Sequence, residues 1–274
     1  MPIYADCHLH THNSADSDAS MESMIEAGIA AGLKIMTFSE HNDFMLPDVP
    51  GAKHSSDEWV LNTDSYLYEL LQCKEKYKDQ IKILFGVEMG LQDICVRENA
   101  VFAKSHEFDF IIGSTHIVNG YDPYYPEYFE GRDREDAYHE YFEDELRSIK
   151  RNSNFDVYGH LDYVVRYGGG LTEGYDLSRH MDLFDEILKS LIDKEKGLEL
   201  NSGGLKKGMK EFHPRKEILK RYRELGGEII TIGSDAHKPE NVADGFDMAC
   251  EVLKECGFKY YCVFEKRTPE FFKL

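Results

Sequence analysis

Short apolar, β-branched runs recur from end to end of the chain, at 3–7, 34–38, 81–87, 108–113, 155–158, 197–200 and 228–232. Between them lie segments with helix-like apolar spacing, near 20–31, 63–77, 93–105, 133–151, 177–194 and 214–225. A further helix is expected near 239–255, and 258–263 supplies a late short strand. Strands that alternate with amphipathic helices are joined by crossover units, so the pattern predicts an α/β fold on a parallel sheet. Gly86, Gly159 and Gly233 fall at or just beyond apolar runs, where a small residue lets the backbone approach a site closely. No linker-like stretch or internal repeat divides the chain, and a single domain over 1–274 is the simplest reading.

Two longer irregular stretches interrupt the pattern, roughly 42–62 and 117–132. The second carries Tyr121, Asp122, Pro123, Tyr124, Tyr125, Pro126 and Tyr128. Such a loop serves either as a dry rim over a pocket or as an ordinary solvent-facing segment.

The chemistry begins at Asp6-Cys7-His8-Leu9-His10-Thr11-His12. On a strand, His8 and His10 project from one face, close enough to clamp one ion, and Asp6 shares that face. His12 continues the parity, but the chain is expected to be leaving the strand there. Asp16 follows in a Ser- and Asp-rich loop able to fold back. The same theme repeats after nearly every apolar run. Run 34–38 leads into Glu40-His41, 81–87 into Glu88, 108–113 into His116, 155–158 into His160, and 228–232 into Asp235 and His237. Only 197–200 ends without a good ligand, in Asn201-Ser202-Gly203-Gly204.

In a parallel barrel the C-terminal strand ends share one face, and that face carries the reactive groups. His8, His10, Asp16, His41, Glu88, His116, His160, Asp235 and His237 are therefore expected to converge on a metal site. So many nitrogen and oxygen donors exceed the needs of one ion and fit two or three, with a bridging carboxylate. The histidine–carboxylate mixture suits zinc, manganese or iron, and not a calcium cage. Such a centre holds phosphoryl oxygens and activates water, so no protein nucleophile is required.

Charge and cysteine content refine this picture. A formal net charge of −19 disfavours nucleic acid as a partner, yet bound cations reverse the field locally and admit a small phosphorylated substrate. The six cysteines contain no CxxC pair and read as buried cytosolic thiols. With no membrane-spanning apolar run and no expected signal peptide or anchor, a cytoplasmic location is expected.

The ordered motifs Asp6-x-His8-x-His10, Asp16, Glu40-His41, Gly86-Val87-Glu88, Gly113-Ser114-Thr115-His116, Gly159-His160-Leu161-Asp162 and Gly233-Ser234-Asp235-Ala236-His237 resemble the polymerase-and-histidinol-phosphatase (PHP) family over essentially the whole chain. The resemblance implies a distorted seven-stranded (β/α) barrel with a trinuclear metal centre at the C-terminal ends of the strands. It also strengthens Asp16 as a ligand. The segments 159–162 and 201–203 look most like the monofunctional members that release phosphate from L-histidinol phosphate in histidine biosynthesis. PHP-type phosphatases or phosphodiesterases acting on nucleotides or phosphotyrosine, and a non-enzymatic metal-binding module, are the alternatives.

Asp235 and His237, with Arg166 and His213, are the expected catalytic group. Arg166 is placed to fork onto phosphate, and His213 to protonate the leaving alkoxide. Asn201, Lys206, Arg215 and Asp162 join Arg166 as expected substrate contacts, with Lys206, Lys207, Lys210, His213 and Arg215 forming a basic cluster. Asp162, Glu40 and Asp43 are candidates to meet a substrate amine or to orient ligand histidines. His54, His106, His139 and His180 terminate no expected strand and read as surface or packing residues. The aromatic spacing at 142–158 and 260–272 reads mostly as core packing.

Overall fold

The computed structural model describes residues 3–169 and 174–274. Seven strands form one parallel sheet in sequential order: β1 Ala5–Leu9, β2 Ile35–Asn42, β3 Lys82–Gly90, β4 Phe110–Ser114, β5 Val157–Tyr158, β6 Gly197–Asn201 and β7 Ile230–Gly233. Among the described residues, the α-helices that connect and follow them are α1 Met21–Ala30, α2 Thr63–Tyr77, α3 Val96–Phe102, α4 Arg134–Arg151, α5 Met181–Asp193, α6 Lys216–Glu224 and α7 Phe246–Glu255.

The sheet curls until its two edges meet. Leu9 bridges Ala236 in parallel, His10 N donates to Ala236 O at 3.0 Å, and Asp235 N donates to His8 O at 2.9 Å. The buried Asp6 carboxylate fastens this seam by accepting from Ser234 N at 2.9 Å and Ala243 N at 3.1 Å. The result is a nearly closed seven-stranded (β/α) barrel.

The helices form for local reasons and hold for tertiary ones. The Ser20 hydroxyl accepts from Ser23 N to cap α1, and Asp133 accepts from Glu135 N and Asp136 N to cap α4. On α5, Phe184, Ile187, Leu188 and Leu191 recur at helical spacing and are all buried. Each such side chain contributes roughly 1.5–3 kcal/mol on burial. The cysteines are all buried and unpaired.

Three departures from the expected elements matter. Strands β2 and β3 run past their apolar cores, paired from Ile35↔Lys82 to Asn42↔Met89, so Glu40, His41 and Glu88 lie within strands. The expected helix at 239–255 breaks into a short turn, Pro239–Asn241, and α7, with Gly245 at φ 76° between them. The late strand pairs with one that was not expected, giving an antiparallel hairpin of β8 Tyr260–Glu265 and β9 Thr268–Lys273. Its core-facing residues are Tyr261, Cys262, Val263 and Phe264, whereas Tyr260 and Phe271 are about half exposed, so the aromatic residues of 260–272 pack into the core only in part.

The hairpin turn docks beneath the barrel. Lys266 N donates to Asp109 Oδ1 at 3.1 Å, Arg267 N to Asp109 O at 2.9 Å, and Arg267 Nε to Asp156 Oδ2 at 2.5 Å. Asp109 and Asp156 each precede a strand, so this clamp sits at the end opposite the strand C-termini. Among the described residues no helix is long and apolar enough to cross a membrane.

Candidate metal centre

The side chains expected to converge do come together at the C-terminal end of the barrel. Glu88 stands at the middle. Its Oε2 lies 3.1 Å from His8 Nε2, 3.6 Å from His10 Nε2 and 3.0 Å from His41 Nδ1. Its Oε1 faces the other way, 2.7 Å from His160 Nε2 and 3.3 Å from His116 Nε2. Asp235 Oδ1 approaches His10 Nε2 at 3.5 Å, and Asp16 Oδ2 meets His237 Nε2 at 3.0 Å from the outer edge. His12 turns away, exposed and 3.3 Å from Glu69.

The backbone is shaped to deliver these groups. His160 and Asp235 adopt φ 21° and 53°, sparsely populated values for non-glycine residues that aim their side chains inward. At Gly233 a Cβ would fall 2.3 Å from Glu199 Oε1 and 2.4 Å from His8 Cβ, so only glycine lets β7 pass so near the site.

Outer partners fix the histidine tautomers. A carboxylate or carbonyl can only accept, so Nδ1–H of His8 donates to Glu199 Oε1 at 2.6 Å, that of His116 to Asp43 Oδ1 at 2.7 Å, and that of His237 to Asp235 O at 3.0 Å. The Ser14 hydroxyl donates to Glu40 Oε2 at 2.5 Å, which leaves it to accept from His10 Nδ1–H at 3.1 Å. In all four rings the Nε2 lone pair is thereby presented to the centre, the arrangement seen where histidine ligates a metal.

The donor set fits divalent ions. His8 Nε2, His10 Nε2, His41 Nδ1, His237 Nε2 and Glu88 Oε2 are buried without a hydrogen-bonding partner, although they lie close together. Lone pairs crowded in this way need a cation between them. Four overlapping sets bring three ligand atoms within 4.8 Å of one another: His8–His10–Glu88, Glu88–His116–His160, His10–His41–His237 and His41–Asp43–His116. Burial opposes charge on Glu88, yet protons on His8, His41 and His116, standing in for bound cations, hold it well below the usual carboxylate range. Asp235 is depressed likewise, against its burial, by His8, His10 and Arg166. Both therefore offer charged oxygens.

Above the centre lies an inner chamber of about 120 Å³, with Asp16, His41, Trp59, His116, Asp122, His160, Tyr163, Arg166, Lys207, Asp235 and His237 among its walls. An outer chamber of about 520 Å³ shares Asp16, Trp59, Asp122, Tyr163 and Lys207 with it and adds Tyr124, Tyr125 and Tyr167. The 117–132 stretch thus forms a rim over a pocket.

Several expected substrate and catalytic groups sit elsewhere. His213 is fully buried behind Arg166, with Nε2 accepting from Arg166 Nε at 2.9 Å and Nδ1 donating to Asp162 Oδ1 at 2.5 Å. Both ring nitrogens are engaged, so it has no path to a leaving group. Asp162 is also fully buried, and its other oxygen accepts from the Tyr175 hydroxyl and Arg215 N. Asn201 is buried between Arg166, Gly203 N and Glu199. Lys206 is spent on the Asn241 and Ser234 carbonyls, and Arg215 on Glu211, Glu217 and the Tyr175 carbonyl. None of these five lines the inner chamber, whereas Arg166 and Lys207 do. Glu40 is likewise committed, holding Thr11 and Ser14. His54, His106, His139 and His180 lie apart from the centre, paired with Glu58, Asp64, Glu143 and Glu135.

Glu199 was missed in the sequence. It holds His8 through one oxygen and accepts from His160 N at 2.9 Å and Asn201 Nδ2 at 3.1 Å through the other. The available signal was a lone glutamate inside the apolar strand Gly-Leu-Glu-Leu-Asn.

Comparison with known proteins agrees with this architecture. A probable histidinol-phosphatase of Clostridium acetobutylicum is 33% identical over 267 residues, covering 97% of this chain and 98% of that protein. The crystal structure of histidinol phosphate phosphatase from Lactococcus lactis, complexed with zinc, L-histidinol and phosphate, is 30% identical with a TM-score of 0.87, covering 97% of this chain and 98% of that one. A putative histidinol phosphatase from Listeria monocytogenes shares the fold with a TM-score of 0.79 at 21% identity, covering 90% of this chain and all of that one. The PHP domain pattern matches residues 6–203, and the barrel carries the arrangement onward through β7 to Asp235 and His237. With most of its length matched in this way, the chain belongs to the PHP domain family.

Proposed function

We propose that this chain is a metal-dependent phosphomonoesterase that converts L-histidinol phosphate to L-histidinol and phosphate. The observation that carries the proposal is the Glu88-centred cluster of outward-braced histidines, opening onto a chamber that fits a small phosphoryl group. Near full-length likeness to a phosphatase holding zinc, L-histidinol and phosphate supports the substrate.

His8, His10, Asp16, His41, Glu88, His116, His160, Asp235 and His237 would hold two or three divalent ions, zinc, manganese or iron. When bound, such ions supply Lewis acidity and a nucleophilic water at neutral pH. The chain's own groups do the rest. Arg166 lines the chamber with both terminal nitrogens 3.4 Å from Asp235 Oδ2, and it is the guanidinium we assign to the phosphoryl oxygens. Asn201 and His213 hold that guanidinium, and Asp162 holds the proton on His213 Nδ1. Lys207 adds a second positive charge at the mouth. We place the reaction in the cytoplasm, with neither nucleic acid nor membrane as partner.

The test is phosphate release by the metal-loaded protein across zinc, manganese and iron, offered L-histidinol phosphate, nucleoside monophosphates and phosphotyrosine. The highest kcat/KM is expected for L-histidinol phosphate. A preference for a nucleotide or phosphotyrosine would overturn the substrate assignment.

A further inference from the structure

We infer that Asp122 is the residue that selects phosphomonoesters carrying a cationic leaving group. The inference rests on the function proposed above, and its basis is an account of the carboxylates around the cavity other than the central Glu88, which the histidines surround. Asp16 is engaged by His237, Asp43 by His116, and Asp235 by Arg166 and the central histidines. Glu40 and Asp162 are buried in their own hydrogen-bond networks and do not line the cavity. Asp122 differs from all of them. Its Oδ1 accepts only from Tyr124 N, at 2.8 Å, and no lysine, arginine or histidine among the described residues pairs with it.

Position completes the argument. Asp122 lines both the inner and the outer chamber, so it stands where a leaving group must pass once the phosphoryl end is seated at the metal centre. The walls around it are aromatic, with Trp59 and Tyr163 shared between the chambers and Tyr167 in the outer one. Aromatic faces attract ammonium and imidazolium groups, and a carboxylate among them supplies the matching charge. Burial raises the Asp122 carboxyl to about 6, even though Tyr124 N and the charges of His116 and Lys207 pull it the other way. Lys207, which also lines both chambers, lies over the Tyr167 ring at 5.9 Å, and its charge acts on Asp122 without forming an ion pair with it.

The experiment compares metal-loaded wild type, Asp122→Asn and Asp122→Glu on two ester classes. L-Histidinol phosphate and O-phosphoethanolamine carry an amine, and glycerol phosphate does not. A charged hydrogen bond of this kind supports a discrimination of about tenfold to a hundredfold. Asp122→Asn is therefore expected to lower the ratio of kcat/KM for amine-bearing over uncharged esters by that factor, and Asp122→Glu to keep most of it. The Ki of L-histidinol as a product inhibitor is expected to rise in parallel. A ratio unchanged in Asp122→Asn, whether both classes fall together or neither does, overturns the inference. Failure of the proposed function reads differently, as a wild type that prefers another ester to L-histidinol phosphate, and the ratio still decides the role of Asp122.

Discussion

Arg166 and His213 are joined by a hydrogen bond that can run in only one direction. The guanidinium Nε–H donates to His213 Nε2 at 2.9 Å, so the imidazole must carry its proton on Nδ1, where Asp162 accepts it. Burial and the neighbouring Arg166 charge both lower the His213 pKa, keeping the ring in the neutral form that this chain of contacts needs. The guanidinium plane is set from behind while its front faces the chamber.

Two conservative substitutions separate this bracing role from a merely structural one. Glutamine at 213 places an acceptor near the former Nε2 and keeps the Arg166 contact, whereas asparagine mimics Nδ1 and keeps only Asp162. His213→Asn is therefore expected to lower kcat/KM by about ten- to a hundredfold, or roughly 1.4–2.8 kcal/mol, and to weaken inhibition by inorganic phosphate. His213→Gln is expected to lose less than about fivefold. Equal losses in both variants would argue that the residue serves packing alone.

Glu199 and Glu88 are expected to fail in distinguishable ways. Glu199→Gln turns an amide N–H₂ toward donors now satisfied by its oxygens, and so loosens His8 without removing a proposed ligand. Metal affinity should fall about ten- to a hundredfold, with activity restored by excess metal. Glu88→Gln removes the shared central carboxylate, so excess metal should not restore turnover. Metal titrations followed by phosphate release read both outcomes.

Chelation is expected to abolish hydrolysis without unfolding the barrel. The apolar core lies along the strands and helices, while the proposed ligands are mounted at one end. Thermal stability should drop, because ions that bind only the folded state stabilise it by mass action. Near-UV circular dichroism should persist. Its collapse on metal removal would show that the fold depends on the ions.

At the other end of the barrel, Arg267→Ala should cost stability and leave kinetics intact. It removes the partner of Asp156 beneath β5, whose carboxylate also accepts from Ile111 N at 2.9 Å. A loss of about 2 kcal/mol in denaturant unfolding is expected, since a mostly buried acid is left short of its charge partner. A matching fall in kcat would mean that the two ends communicate.

Much of this site was legible because strand ends announce themselves. An apolar run followed by histidine or carboxylate marks the C-terminal part of a strand or the residues just after it, and repetition placed His8, His41, Glu88, His116, His160 and Asp235 on one face. Glu199 escaped because it sits within its strand, where a lone acid reads as an interruption. The sequence singles out Lys206 as a substrate contact, whereas Lys207 is the one that lines the chamber, because neighbouring side chains in a short turn diverge by geometry that composition does not encode. His213 was expected to donate a proton and instead accepts a hydrogen bond, since no pattern reveals what lies behind a buried ring. The strand β9 went unseen because Pro269 and the exposed Phe271 blur the alternation that marks a half-buried strand.

The seam between β1 and β7 also sets a timetable. Ser234 N reaches Asp6 across 228 positions of sequence, and the same closure brings Asp235 to His8 and His10. A chain emerging from the ribosome exposes its first histidines long before the final acid exists. Contacts so distant in sequence form late, after the intervening units have stacked. Unfinished copies therefore carry only fragments of the ion-holding cage, and chemical competence arrives with the last strand.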